Sequence, residues 1–243
     1  MEPKLVPLPE SKQAIAPGFV YEAAREAVAA PGAQKVLRNT YLLLALTMVP
    51  TLIGAFVGMA TSGFVVAHPL ASTLVMLAGV VGLQYGIAAN RNNGLGVALL
   101  LLMTGILGWW LGPILNVALK LSNGTQLVGY AAVGTGVIFF AMGAIASAAK
   151  RDFGFMGKFL FVGMIALLVA MIANMFLQIP ALALTISTLV IVVFSLYLLY
   201  DLNRIVRGGE TNYVMAATGV YMSLYNIFAN LLILLMALAG DRR

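Results

Sequence analysis

The chain contains no cysteine, which excludes disulfides, thiol nucleophiles and thiolate metal sites together. Histidine occurs once, at His68, so a zinc site built from histidines is excluded as well. Charge is scarce: Asp, Glu, Lys and Arg make up 9% of 243 residues, against about a quarter in an ordinary soluble domain. No soluble domain of any size interrupts such a chain. The net charge of +6 does not indicate nucleic acid, because the basic residues stand at the ends of apolar runs and not on one patch. Met1 to Pro9 holds acids and prolines without an apolar core, which does not read as a cleaved signal peptide.

What is present is apolar. Hydrophobic residues reach 62%, and the mean hydropathy is +1.00. Runs near the ~20 residues needed to cross a bilayer recur along the chain. They predict an all-α polytopic membrane protein with spans at Tyr41–Phe64, Pro69–Ala89, Leu95–Leu115, Val128–Ala149, Phe159–Leu177, Ala181–Tyr200 and Tyr213–Ala239. Residues 1–34 precede them as a polar tail broken by Pro3, Pro7, Pro9, Pro17 and Pro31, and 35–243 form the membrane domain. The tail reads either as a flexible segment or as a handle for a partner in the cytosol.

Basic residues set the orientation. With the tail inside, that side carries Lys4, Lys12, Arg25, Lys35, Arg38, Arg91, Lys150, Arg151, Lys158, Arg204 and Arg207, and the other carries Lys120, Arg242 and Arg243. Eleven against three places the N-terminus in the cytoplasm and the C-terminus across the membrane. Small residues in the third span (Gly105, Gly108, Gly112) and the fourth (Gly134, Gly136, Gly143, Ser147) predict close helix packing. Pro113 and Pro180 predict span ends or kinks.

The last span is the most patterned. At about 100° per residue, Asn212, Ala216, Gly219, Ser223, Asn226 and Asn230 share an arc of roughly 80°, and apolar residues fill most of the remainder. Lipid gives a helix no reason to gather small and polar groups on one side. This helix is therefore expected in the middle of the bundle, with a polar seam on its inner side.

Asp201 stands at the edge of the sixth predicted span. A carboxylate there is costly unless paired, hydrated or protonated, and marks ion or proton paths more often than chance. Arg204 at i+3 offers a plain interfacial ion pair instead. With Tyr197 one turn before it, Asp201 can share an interior with Ser223 and Asn226 and serve as a proton switch. Arg91, in the turn Asn90-Arg91-Asn92-Asn93-Gly94, reads as a topology-setting arginine or as a gate that pairs with Asp201. Asn174 and Gln178 read as bonds between helices, Glu210 with Thr211 or Asn212 as a helix start, and His68 as a loop residue.

Catalysis has little support. A membrane serine protease needs a histidine or lysine base within the bundle, and a membrane metalloprotease needs the H-E-x-x-H helix. Neither pattern occurs, so the chain is not read as an enzyme.

Several stretches are familiar together: Lys35-Val-Leu-Arg-Asn-Thr-Tyr41, Leu111-Gly-Pro-Ile-Leu-Asn116, Asn174-Met-Phe-Leu-Gln-Ile-Pro-Ala-Leu182, Gly208-Gly-Glu-Thr-Asn-Tyr213 and Ser223-Leu-Tyr-Asn-Ile-Phe228. On these the chain resembles the Bax inhibitor-1/YccA family, bacterial branch. The resemblance implies a seven-helix inner-membrane fold with the seventh helix enclosed by the other six, and a periplasmic C-terminus. It implies a modulator and slow substrate of the membrane-bound ATP-dependent protease FtsH with HflK–HflC, engaged through the tail 1–34. It also implies, as an alternative, a pH-sensitive calcium leak gated by two aspartates. Tyr200-Asp-Leu-Asn-Arg-Ile205 matches the first of these at Asp201, where calcium would bind. The second falls on neutral Ser223, and the gating arginine on Asn90 beside Arg91. One carboxylate fewer weakens a calcium site, which favours the protease reading.

Overall fold

A computed structural model describes residues 31–149 and 151–240. The expected flexibility of the tail and its partner contacts therefore concern residues that lie, up to residue 30, outside the described ones. The described residues form α1 (Pro31–Ala60), α2 (Ser62–Ala67), α3 (Pro69–Ala89), α4 (Gly94–Leu119), α5 (Gly124–Ala148), α6 (Met156–Leu177), α7 (Pro180–Val206) and α8 (Tyr213–Gly240). Seven of these are long and apolar enough to cross a membrane, and α2 is too short. In hydrocarbon each backbone amide must find its partner within the protein, and a helix does this within one segment.

The helix ends follow local chemistry. Pro69 and Pro180 occupy first-turn positions, where a missing N–H costs nothing. Asn93 accepts hydrogen bonds from Leu95 N and Gly96 N and starts α4. Asn212 does the same for α8, accepting from Val214 N and Met215 N. At the end of α7, Gly208 takes the left-handed conformation (φ 72°), and Gly209 N donates to Arg204 O at 2.8 Å.

Three expectations need correction. The first helix begins at Pro31, ahead of the predicted Tyr41, and its run breaks at Thr61 before continuing as α2. The break is held from α4: Trp109 Nε1 donates to Thr61 Oγ1, and Asn116 Nδ2 donates to Met59 O and Ser62 Oγ. The sixth predicted span continues to Val206, because Leu198, Leu199, Leu202 and Ile205 carry its buried face past Tyr200. Asp201 thus lies within α7. Of the two readings of Pro113, span end or kink, the first falls, since it sits within α4.

Helix α8 is the axis of the bundle, as its stripe predicts. It packs against α7, α5, α1 and α4, with a lighter contact to α3. From Val214 to Ala237 none of its residues is exposed. The remaining span, α6, packs on α7 and faces α8 across a cavity. Outward-facing Phe140, Phe159, Val162 and Phe176 form part of the apolar belt that meets lipid. The tightest crossing joins α1 and α4. A Cβ on Gly108 would strike the Thr51 carbonyl, and one on Gly112 the backbone of Gly58. Close approach at Gly108 and Gly112 agrees with the small-residue reading. At Gly136 on α5 it does not hold, since nothing lies within 4 Å of an added Cβ.

Above the Asp201 level, Tyr221 ties three helices. Its hydroxyl lies 2.8 Å from Thr51 Oγ1 on α1 and donates to Thr104 O on α4 at 3.3 Å. Tyr225 stacks on it at 6.3 Å between centroids.

Candidate functional site

One end of the bundle carries the α3–α4, α5–α6 and α7–α8 connectors, and there α6, α7 and α8 part around a cavity of about 360 Å³. From α7 it receives Phe194, Tyr197, Asp201 and Arg204. From α8 it receives Met215, Gly219, Met222 and Ser223. Phe161 and Met164 of α6, Gln84 of α3 and Glu210 of the connector also stand on its walls, and Ile205, Ala216 and Thr218 complete them. A larger cavity of about 610 Å³ between α1 and α5 has no charged lining residue, and no chemistry attaches to it.

Asp201 is the polar centre of the smaller cavity. Its carboxylate rests on Gly219, where the lack of a side chain makes room for it. Among the described residues it receives no hydrogen bond and no ion pair. The alternative of a plain ion pair with Arg204 is not taken up: Arg204 NH2 binds Glu210 Oε2 at 3.2 Å. The Arg204 guanidinium also stacks over the Tyr200 ring, 5.4 Å from its centroid. Glu210 is drawn the other way by Asn212 N, which donates to its Oε1 at 2.9 Å.

The seam on α8 divides in two. Its first half meets Asp201: Gly219 lies under the carboxylate, and Ser223, 1% exposed, lines the same cavity. Tyr197 lines it too, one turn before Asp201, as its spacing implies. The second half does not reach it. Asn226 Nδ2 donates to Met222 O and Asn230 Nδ2 to Asn226 O, both at 2.8 Å, so these amides bond back along their own helix.

Asn212 and Arg91 meet, but through the backbone. Asn212 Nδ2 donates to Arg91 O and Asn92 Oδ1, each at 2.9 Å, which ties the start of α8 to the α3–α4 turn. The Arg91 side chain is exposed and stands in no ion pair among the described residues. The structure therefore does not bring it to Asp201.

Sequence reasoning missed Asn203. Fully buried on α7, it accepts from Phe153 N at 3.1 Å and donates to Ala146 O and Arg151 O at 3.4 Å. Arg207 NH2 adds a bond to Ala149 O at 2.8 Å. Together they clamp the α5–α6 connector to the end of α7. The available signal was the continued 3–4 spacing of Leu198, Leu202 and Ile205, which extends the helix through Asn203. On the opposite end Asn174 Oδ1 accepts from Ile179 N, a connector bond beside left-handed Gln178 (φ 52°).

As a calcium site the arrangement is poor. Calcium takes about six to eight oxygens, several of them anionic. Here Asp201 is the one uncommitted carboxylate on the wall, Glu210 is engaged with Arg204, and Ser223 adds a neutral hydroxyl. Among the described residues no three His, Asp or Glu side chains gather closely enough to hold a metal. A resident calcium ion does not fit these groups.

Comparison with known proteins covers nearly the whole of this architecture. The sequence model of the family described as inhibitor of apoptosis-promoting Bax1 matches residues 33–240. A relative from Escherichia coli K12 named modulator of FtsH protease YccA is 39% identical over 201 residues, 83% of this chain and 89% of its own length. An uncharacterized protein of Neisseria meningitidis serogroup A is 39% identical over 210 residues, 85% of this chain and 92% of its own. A membrane protein of Vibrio cholerae is 36% identical over 201 residues, 83% and 88% respectively.

Proposed function

This chain belongs to the Bax inhibitor-1 family, and from that premise we propose that it is a multi-pass inner-membrane modulator of the membrane-bound ATP-dependent protease FtsH. One observation carries the reading: the E. coli relative bearing that description is 39% identical across almost its full length. The identity spans the bundle and is not confined to one helix. HflK–HflC, the partners that the family resemblance associates with the protease, complete the assembly we infer. The chain is itself a slow substrate, held by its N-terminal segment.

The distribution of basic residues supports the same arrangement. With the N-terminus in the cytoplasm and the C-terminus in the periplasm, the Asp201 end of the bundle and residues 1–34 face the protease's side of the membrane. Removing residues 1–30, which leaves α1 intact from Pro31, lengthens the protein's lifetime in cells carrying the protease and relieves the restraint on other membrane substrates. Pulse-chase measurement checks it. An unchanged lifetime removes the tail from the mechanism.

A second reading, a pH-sensitive cation leak, is favoured by the unpaired Asp201 carboxylate on its cavity. Cation efflux from proteoliposomes between about pH 6 and 8 then differs between the natural protein and Asp201→Asn. Equal flux in both ends that reading.

A further inference from the structure

We propose that the Asp201 cavity binds a small organic monocation, an amine carrying an aromatic or branched apolar group, with Asp201 as its counter-ion. The inference shares Asp201 with the leak reading but needs no permeation, and it stands without the protease.

The chemistry of the walls selects the class. A carboxylate set among apolar side chains within a membrane span is costly unless it is paired, hydrated or protonated. No described residue stands in a contact ion pair with it: Arg204, on the same wall, acts on it only through space. A neutral ligand leaves that charge unpaired, and an anion opposes it. A divalent metal lacks its other oxygens. An organic cation answers both halves of the site. Phe194 and Tyr197 present aromatic surface, which attracts an ammonium group. Met215 and Met222 offer soft, adaptable walls to its apolar part. The hydroxyl of Ser223, nearly all buried and without a hydrogen bond among the described residues, is an acceptor for an N–H. A volume of about 360 Å³ lies in the range of small-molecule sites.

Arg204 is the competitor, and Glu210 holds its contact, though the guanidinium stays on the cavity wall. One turn from Asp201, the guanidinium is close enough in sequence to take the carboxylate for itself. Its bond to Glu210 at 3.2 Å and its seat over Tyr200 turn it away. Glu210 is thus a positioning residue: it acts on the ligand by holding Arg204 off Asp201.

The test is titration of phenethylamine, and of its neutral counterpart phenethyl alcohol, onto the full chain in lipid nanodiscs by calorimetry. The amine binds saturably, and at least about tenfold more tightly than the alcohol. Asp201→Asn abolishes that difference. Glu210→Gln weakens the amine by about tenfold, and adding Arg204→Gln to it restores binding, which a merely structural role for Glu210 does not predict. A second readout uses the cysteine-free background: phenethylamine protects a Met222→Cys variant from maleimide, and the alcohol does not. Equal affinity for amine and alcohol, amine binding that survives Asp201→Asn, or absence of protection at Met222→Cys overturns the proposal.

Discussion

The Asp201 carboxylate on α7 lies directly against Gly219 on α8: a Cβ at Gly219 would stand 2.6 Å from Oδ2 and 3.1 Å from Cγ. The glycine is what allows an acidic side chain to sit between two packed helices. Gly219→Ala therefore displaces Asp201 from its place and destabilises the bundle by about 1 kcal/mol, the lower end for overpacking because a side chain can yield. Thermal melting in detergent measures it. Gly136→Ala on α5, where nothing lies within 4 Å, is the control, and it is neutral or stabilising by up to about 1 kcal/mol.

Where the obstacle is backbone, nothing can yield. A Cβ at Gly108 meets the Thr51 carbonyl across the α1–α4 crossing. Gly108→Ala costs more than Gly219→Ala in the same melting experiment, about 3 kcal/mol. A smaller loss than at Gly219 contradicts the packing described for α1 and α4.

Asn212 caps α8 and tethers it to the α3–α4 turn. Asn212→Ala costs about 1 kcal/mol as a lost cap. It also frees two connectors at once, so hydrogen exchange accelerates in residues 90–93 as well as in 207–212. Acceleration confined to 207–212 removes the tether.

Asn203 serves three backbone partners from a fully buried position. Asn203→Leu keeps the branching of the side chain but orphans them, with a loss of about 1–3 kcal/mol and early proteolytic cleavage near Phe153. Wild-type resistance to cleavage in that variant dismisses the clamp.

Tyr221→Phe removes a hydroxyl shared with Thr51 and Thr104. Thr51 keeps its own bond to Thr47 O at 2.7 Å, so little is left unsatisfied. The loss is about 0.6 kcal/mol, typical of polar contacts between membrane helices. A melting shift several times larger identifies Tyr221 as more than a packing tie.

Much of the fold was legible because lipid reduces the choices. Pro69 and the Asn-rich turn after Ala89 bound α3 residue for residue. The stripe on α8 was legible as inward-facing, since polar groups have nowhere else to go. The end of α7 was not. Tyr200-Asp-Leu-Asn-Arg-Ile-Val206 is polar enough to read as a connector, because hydropathy counts residues and not the directions they face. Tyr221 escaped notice for a related reason: at about 100° per residue it lies opposite the Asn212 side, and a helix surrounded by others has partners on both.

Composition and periodicity alone determined that the chain spans a membrane, that seven helices are long enough to do so, and that the last is central. That Asp201 lies on its seam was one of two readings until the structure set it against Gly219. Which partner Arg204 takes was decided only in three dimensions. Its spacing offers Asp201, three residues before it on the same helix, and not Glu210, which lies beyond the end of α7. The choice follows from the connector, which Gly208 turns back and Asn212 anchors to the α3–α4 turn. That anchoring brings Glu210 to the guanidinium and leaves Asp201 facing the cavity, a result of long-range geometry that no local spacing contains.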